Sequence, residues 1–356
     1  MKTRPIASAP VLACALALAL VSALAACGGD RSAPAHATEG GAAHPESSPI
    51  AAAGTGLPAS WQRLADGPEP AIDAGQPQLP ASVRSDDGVD VEVDDITRIV
   101  AGGDDIIAVI EALGQGGRIF AAPTNTTTAA GRAAPHRFLF NRTTGVEGVL
   151  SLGGTLFIGN SLRRHGELAK TLRAVGQDAV IIDDLQPAPG KIRKVATALG
   201  MAAAGERLAG SVQAQLDQAA EIAAGHAQRP RVIHVSATGA GGSPTVAGAD
   251  SASGQLIALA GGLNIGTEAG VANFSALSNE GVVAAAPDVI LVTEHDLELF
   301  GGPDGVWKAY PTLRQTPAGQ AGRVWVMPDV QLKYTSVGSG AGALSLATAL
   351  AALPPR

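Results

Sequence analysis

The chain has 356 residues with 25 basic and 32 acidic side chains, a formal net charge of −7 and no basic run, which excludes a nucleic-acid binder held by a cationic face. A chain of 356 residues can hold two lobes of ordinary domain size. Both cysteines, Cys14 and Cys27, fall near the start, so the folded part has no internal disulfide framework.

Lys2 and Arg4 precede the apolar run "VLACALALALVSALAAC". Residues 1–26 therefore read as an export signal rather than fold material. The run ends in Leu24-Ala25-Ala26-Cys27, which resembles a bacterial lipobox and implies that Cys27 becomes the first mature residue and carries lipid. Ordinary cleavage at a small-residue site and a retained single-span anchor are the alternatives. Losing Lys2 and Arg4, with no acid in that segment, takes the net charge from −7 to −9. Residues 27–80 are rich in Ala, Gly, Pro and Ser. They are expected to form a flexible tether, because they hold too few large apolar groups to offset their ordering entropy.

Folded structure is expected to start at "SVRSDDGVDVEVDD", where Val89, Val91 and Val93 alternate with acids and Asp87-Gly88 suits a hairpin turn. Next come the strand "TRIVAG", a helix over "DDIIAVIEALG" with Ile106, Ile107, Ile110 and Leu113 as its buried stripe, and a further strand. Strand "TLFIG", helix "LRRHGELAKTLRAVG" and strand "DAVIID" complete a first α/β lobe, residues 81–200. From Lys191 to Gly225 the pattern turns helical, with Leu208, Val212, Leu216 and Ala220 recurring every four residues. The stretch 201–228 reads as an interlobe helix. A second α/β lobe, 229–356, opens on "RPRVIHVSA" and holds strands "DVILVTE" and "GRVWVMP" before a closing helix. The expected fold is α/β: two Rossmann-like lobes with parallel sheets, joined by a single long helix, with a ligand cleft between them.

The second lobe repeats the first. "ALGQGGRI" matches "ALAGGLNI", and "EGVLSLGGTLFI" matches "EGVVAAAPDVIL", which places Glu147 and Glu280 in equivalent positions 133 residues apart. Thr144-x-x-Glu147 also fits a capping box, and an acid near a helix start is favourable by about 0.3–1 kcal/mol. Glu280 fits that explanation less well, because Ser278 has glycine three residues on.

These features resemble the substrate-binding proteins of bacterial ABC importers, of the helical-backbone type and its haemin-binding branch. The resemblance runs from about Arg98 to Leu353 and rests on "SDDGVDVEVDDITRIV", "VEGVLSL", "KIRKVATALGMAAAGERLAGSVQ", "EGVVAAAPDVILV" and "GGPDGVW…TLRQTPAGQAGRVWVM". It implies a receptor exported and lipid-anchored at the outer face of the cytoplasmic membrane or in the periplasm. Such a receptor captures haemin as cargo, with no catalytic cofactor, and delivers it to a permease dimer with its ATPase. Glu147 and Glu280 would dock on permease arginines. Ferric siderophores and cobalamin are the alternative cargoes of this fold.

Haem iron takes Tyr, His, Met or Cys as axial ligand. Relatives are expected to place a tyrosine near residues 129–130, where this chain has alanine, or a histidine where it has Arg142. The second-lobe tyrosine position falls at His234. The resemblance thus leaves His136 and His234 as candidate iron ligands from the two lobes. Alternatively, His136 is a solvated loop residue and His234 a hydrogen-bonded strand residue. Arg142 could pair with a propionate. Tyr334 and Trp307 would face the cleft, or else pack in the core or at its rim. The arginine often present before the last helix in relatives is absent from "VGSG".

Other chemistry finds little support. "GAGGS" lacks the Lys-Ser/Thr of a P-loop, no Gly-x-Ser-x-Gly elbow is present, and His165 and His295 lack zinc-site spacing. A cleft hydrolase using Glu147 and Glu280 as acid and base would need both carboxylates within about 10 Å, whereas equivalent helix starts in separate lobes hold them farther apart. An adhesion or scaffold lipoprotein would have no ligand cleft.

Overall fold

A computed structural model describes residues 56–64, 70, 72–139, 146–225, 228–237 and 244–354. Among these residues the first elements are β1 (Gln62–Arg63) and the hairpin β2 (Ala81–Arg84) and β3 (Asp90–Val93). Strand β4 (Ile99–Ala101) and helix α1 (Asp104–Ala112) lead to β5 (Ile119–Pro123), α2 (Ala129–Ala133) and β6 (His136–Phe138). Helix α3 (Val146–Leu150), β7 (Leu156–Gly159), α4 (Leu162–Ala174) and β8 (Asp178–Ile181) complete the first sheet. Helices α5 (Ala188–Ala198) and α6 (Ala202–Ala224) cross to the second lobe. There β9 (Arg231–Ser236), β10 (Thr245–Ala247), α7 (Ala252–Leu259), β11 (Leu263–Asn264), α8 (Ile265–Glu268) and β12 (Phe274–Ser275) follow. The rest comprises α9 (Asn279–Ala285), β13 (Val289–Thr293), α10 (Glu294–Leu299), α11 (Pro303–Ala309), α12 (Pro317–Gln320), β14 (Val324–Met327), α13 (Asp329–Leu332) and α14 (Ser339–Ala351).

The first sheet is parallel, in the order β6-β5-β4-β7-β8. In the second, β13 lies between β9 and β14 with parallel pairing, just as β7 lies between β4 and β8. The internal repeat seen in the sequence is therefore a repeat of topology. The second sheet is not wholly parallel, since β10 and β12 run antiparallel to their neighbours. The chain from Ser236 to Thr245 is too short for the crossover that a parallel partner of β9 would need.

The hairpin forms as expected, with Gly88 at φ +85° in its turn. Its turn is fastened to the first lobe by ion pairs of Asp86 with Lys194 and of Asp87 with Arg173.

Three expectations need correction. The tether assigned to 27–80 is too long, because Trp61 and Leu64 are buried and β1 adds a parallel edge strand to β14 of the second lobe. Two large apolar side chains suffice to anchor a strand whose composition is otherwise polar; residues 1–55 lie outside the described residues. The helical stretch from Lys191 to Gly225 is two helices, broken at Gly200. Gly200 has φ +69°, and a Cβ there would lie 2.1 Å from the Gln78 main-chain oxygen, so only glycine permits this turn. Finally, Ala219 rather than Ala220 is buried on α6.

Each sheet is covered on both faces. One cluster joins α1, α5 and α6 to the first sheet, and Phe157, Ala169 and Leu172 fill its other face. Two further clusters sandwich the second sheet. Leu216 on α6 packs against a core of each lobe, so the crossing helix is part of both. No helix among the described residues is long and apolar enough to cross a membrane.

Candidate functional site

The two sheets bring the carboxyl ends of β5, β13 and β14 toward one cleft of about 520 Å³. Ligands of open α/β sheets bind outside the carboxyl ends of strands, and this volume suits a small-molecule site. From the first lobe the cleft receives Glu111, Thr127, Thr128 and Arg132; from the second, His295, Glu298 and Asp329.

The first-lobe wall is set by Asp104, buried at the start of α1. Its carboxylate accepts from the Thr127 N–H and Oγ1, each at 2.7 Å, and from the Thr126 hydroxyl. Thr128 then caps α2 by accepting from the Gly131 N–H at 3.1 Å. Glu111 accepts from the Ala130 N–H at 3.1 Å. Arg132 follows on α2, and its guanidinium has no partner among the described residues.

The second-lobe wall is built at the end of β13. Thr293 caps α10 by accepting from the Asp296 N–H at 3.2 Å. Asp296 is buried and takes the Lys333 ammonium at 2.9 Å, the Ser236 hydroxyl at 3.0 Å and the Ala237 N–H at 3.0 Å. Burial alone would raise its carboxyl, but the Lys333 charge and these hydrogen bonds outweigh it and hold the group below the usual carboxylate range. Asp329 accepts from the His295 N–H at 3.0 Å, and burial raises its carboxyl. Between these two fixed acids, His295 stands in the cleft wall with Nδ1 3.6 Å from the Glu298 carboxylate. Glu294 pairs with Arg63, so the segment before the hairpin also touches the cleft rim.

The structure does not bring the expected histidines to this cleft. His234 sits in central strand β9 with 0% exposure. Its Nδ1 lies 2.8 Å from the Ser253 hydroxyl on α7, and its ring meets Phe274 edge-on. Desolvation lowers its pKa to about 3, so its 3.9 Å approach to Asp296 is not an ion pair. The reason is topological: a central strand of a doubly covered sheet buries the side chains of both faces. His136 lies on edge strand β6, before its carboxyl end. It is exposed and packs against Phe120 at 4.6 Å between ring centroids, apart from the cleft lining. Trp307 is also misplaced. It packs edge-to-face on Trp61 at 5.7 Å, with Arg314 over its ring, half-buried against the second-lobe core.

Tyr334 lies in a separate crevice of about 160 Å³ between the lobes, with Pro187, Leu216 and Leu256. Burial, and then the charge of Asp104, raises its phenol well above the ordinary value. Arg142 and Cys27 fall outside the described residues. Glu147 and Glu280 are exposed in the first turns of α3 and α9, and neither pairs with another described residue. Ser278 caps α9 through the Gly281 N–H at 3.0 Å without help from Glu280.

His295, Arg132 and the threonine wall went unassigned in the sequence. The signal available was their position just after strands β5 and β13. No cluster suited to hold a bare metal ion occurs among the described residues.

The family model described as "Periplasmic binding protein" matches residues 99–330. The periplasmic heme-binding protein RhuT from Roseiflexus sp. RS-1, in apo form, is 35% identical. It aligns over 72% of this chain and 98% of its own, with a TM-score of 0.64. The heme-binding protein HmuT is 26% identical over 82% of this chain and 98% of its own, with a TM-score of 0.66. The periplasmic heme-binding protein BhuT, in complex with two hemes, is 27% identical over 71% and 98%, with a TM-score of 0.59. No curated protein matches the chain. With two topologically repeated lobes, a carboxyl-end cleft between them and a family match over most of its length, this chain belongs to the periplasmic binding protein family.

Proposed function

We propose that this protein is the extracytoplasmic substrate-binding component of an ABC importer, capturing haemin in the interlobe cleft and passing it to a permease. The observation that carries the reading is a two-lobed cleft in a chain 35% identical, over nearly all of its relative's length, to a periplasmic heme-binding protein. The protein binds and releases its cargo rather than transforming it. Cys27 carries the lipid that holds it at the membrane, and C27S would abolish fatty-acyl labelling. Glu147 and Glu280, one per lobe, dock on the two permease subunits, whose ATPase drives transport.

The cleft lining favours a second reading. No tyrosine lines it among the described residues, and a ferric siderophore or cobalamin needs no axial protein ligand. An absorbance titration of the soluble protein separates the two. A Soret shift saturating at one or two equivalents of haemin supports the first. Absence of any shift, with binding of a ferric siderophore or cobalamin, supports the second.

A further inference from the structure

The cleft offers one imidazole among its described lining residues, and it is not one of the two that the chain's resemblances pointed to. His295 follows β13 directly, at the carboxyl end of the strand at the centre of the repeat. Its backbone is fixed twice: its own N–H is held by Asp329 at 3.0 Å, and the next residue, Asp296, is locked by Lys333 and Thr293. Its side chain is about three-quarters buried, 25% exposed, so it is placed by packing yet open to the cleft. The Glu298 carboxylate lies 3.6 Å from Nδ1, one turn along α10. That is just beyond hydrogen-bond length, and a small rotation closes it. A carboxylate on Nδ1–H fixes the tautomer that leaves the Nε2 lone pair free, the usual arrangement behind a metal-bound histidine.

The opposite wall is equally suited to a planar anionic chelate. Thr127 and Thr128 are immobilised by Asp104 and the α2 cap, and Arg132 stands beside them with a guanidinium that has no partner among the described residues. Of the cleft acids, Glu111 accepts from a main-chain N–H, Glu294 pairs with Arg63, Asp329 accepts from the His295 N–H through one oxygen while its other oxygen is buried without a hydrogen bond, and Glu298 stands beside His295. Among the described residues, the lining thus presents one imidazole on one wall and one guanidinium without a partner on the other.

We propose that His295 is the residue through which this protein holds the iron of its cargo, with Nε2 as the axial donor and Glu298 holding Nδ1–H. The inference rests on the haemin reading above. On binding, the Nε2 lone pair forms the Fe–N bond and displaces the water or halide on ferric haemin; no electron is transferred and His295 stays neutral overall. Arg132 takes a propionate from across the cleft.

The test is the spectrum of the ferric haemin complex of the full soluble chain and its variants. H295G should shift the Soret band and weaken haemin binding at least tenfold, and added imidazole should restore the intact protein's spectrum. H234Q and H136A should leave the spectrum unchanged. E298Q should alter the ligand-field bands with a smaller loss of affinity, and R132A should weaken haemin more than its dimethyl ester. If the intact protein binds haemin and H295G gives the same spectrum, with or without imidazole, His295 is not the ligand and the haemin reading stands. If the intact protein binds no haemin, both are overturned.

Discussion

The Ser336 hydroxyl of the second lobe donates to the main-chain oxygen of Asp105 in the first, at 2.7 Å and with both residues buried. Thr335 makes a parallel bond to the Asp184 oxygen at 2.8 Å. Together with α6, which enters both cores, these bonds tie the lobes beside the cleft, whose lining includes the neighbouring Val337 and Ala108. A ligand must therefore be accommodated by small movements about a fixed spine, because bending a continuous helix breaks backbone hydrogen bonds.

The Asp105 carboxylate at that junction meets the Lys191 ammonium, at 2% and 0% side-chain exposure, and also takes the Asn160 amide at 2.8 Å. Lys191→Met leaves this carboxylate buried without its countercharge and should destabilise the protein by about 3–5 kcal/mol. Adding Asp105→Asn should recover part of the loss. Urea denaturation of the two variants measures both; equal stability of Lys191→Met and the parent would show that the pair is dispensable.

Trp61 is 7% exposed and stacks edge-on against Trp307. Trp61→Ala should therefore cost about 3–5 kcal/mol, the cost of emptying a core site, although it lies in sequence that reads as linker. Thermal melting decides. A loss below 0.5 kcal/mol would return the segment to the tether.

His234 and His165 are both buried, and burial lowers their pKa values to about 3 and about 4. In the unfolded chain each titrates near 6.5. Below that value the unfolded state binds protons that the native state refuses. Stability is complete above pH 6.5 and falls as pH drops, by up to about 1.4 kcal/mol per unit for each histidine, until the native groups titrate. Stability measured from pH 7 to pH 4.5 should show this slope, and His234→Gln should flatten it. An identical slope in that variant would assign the acid sensitivity to other groups.

Glu147→Ala and Glu280→Ala remove exposed side chains that pair with no other described residue. Each should change stability by less than about 0.5 kcal/mol and leave haemin affinity unchanged. Uptake by cells, or stimulation of the permease ATPase in vesicles, should fall severalfold for each and further for the double variant. Undiminished transport in the double variant would place docking elsewhere.

Much of the architecture was legible in the chain because it rests on local rules. Alternating Val91 and Val93 beside Asp87-Gly88 specify the hairpin, the isoleucines of α1 mark one helical face, and the two Glu-Gly phrases reveal the repeat. Helix period, turn chemistry and internal similarity are properties of neighbouring residues, and they survive folding unchanged. What the tertiary structure alone decided is where each polar side chain ends up. "RVIHVS" reads as a buried strand, but a sheet covered on both faces gives no polarity signal for which side a histidine takes, and His234 went inward beneath α7. Trp61 and β1 became part of the second lobe only through pairing with β14, a partner more than 250 residues away in the chain. His295 reached the cleft for the same reason. Its spacing to the rest of the lining means nothing along the sequence, and the wall facing it, Thr127 to Arg132, is set opposite it only because the two lobes pack together.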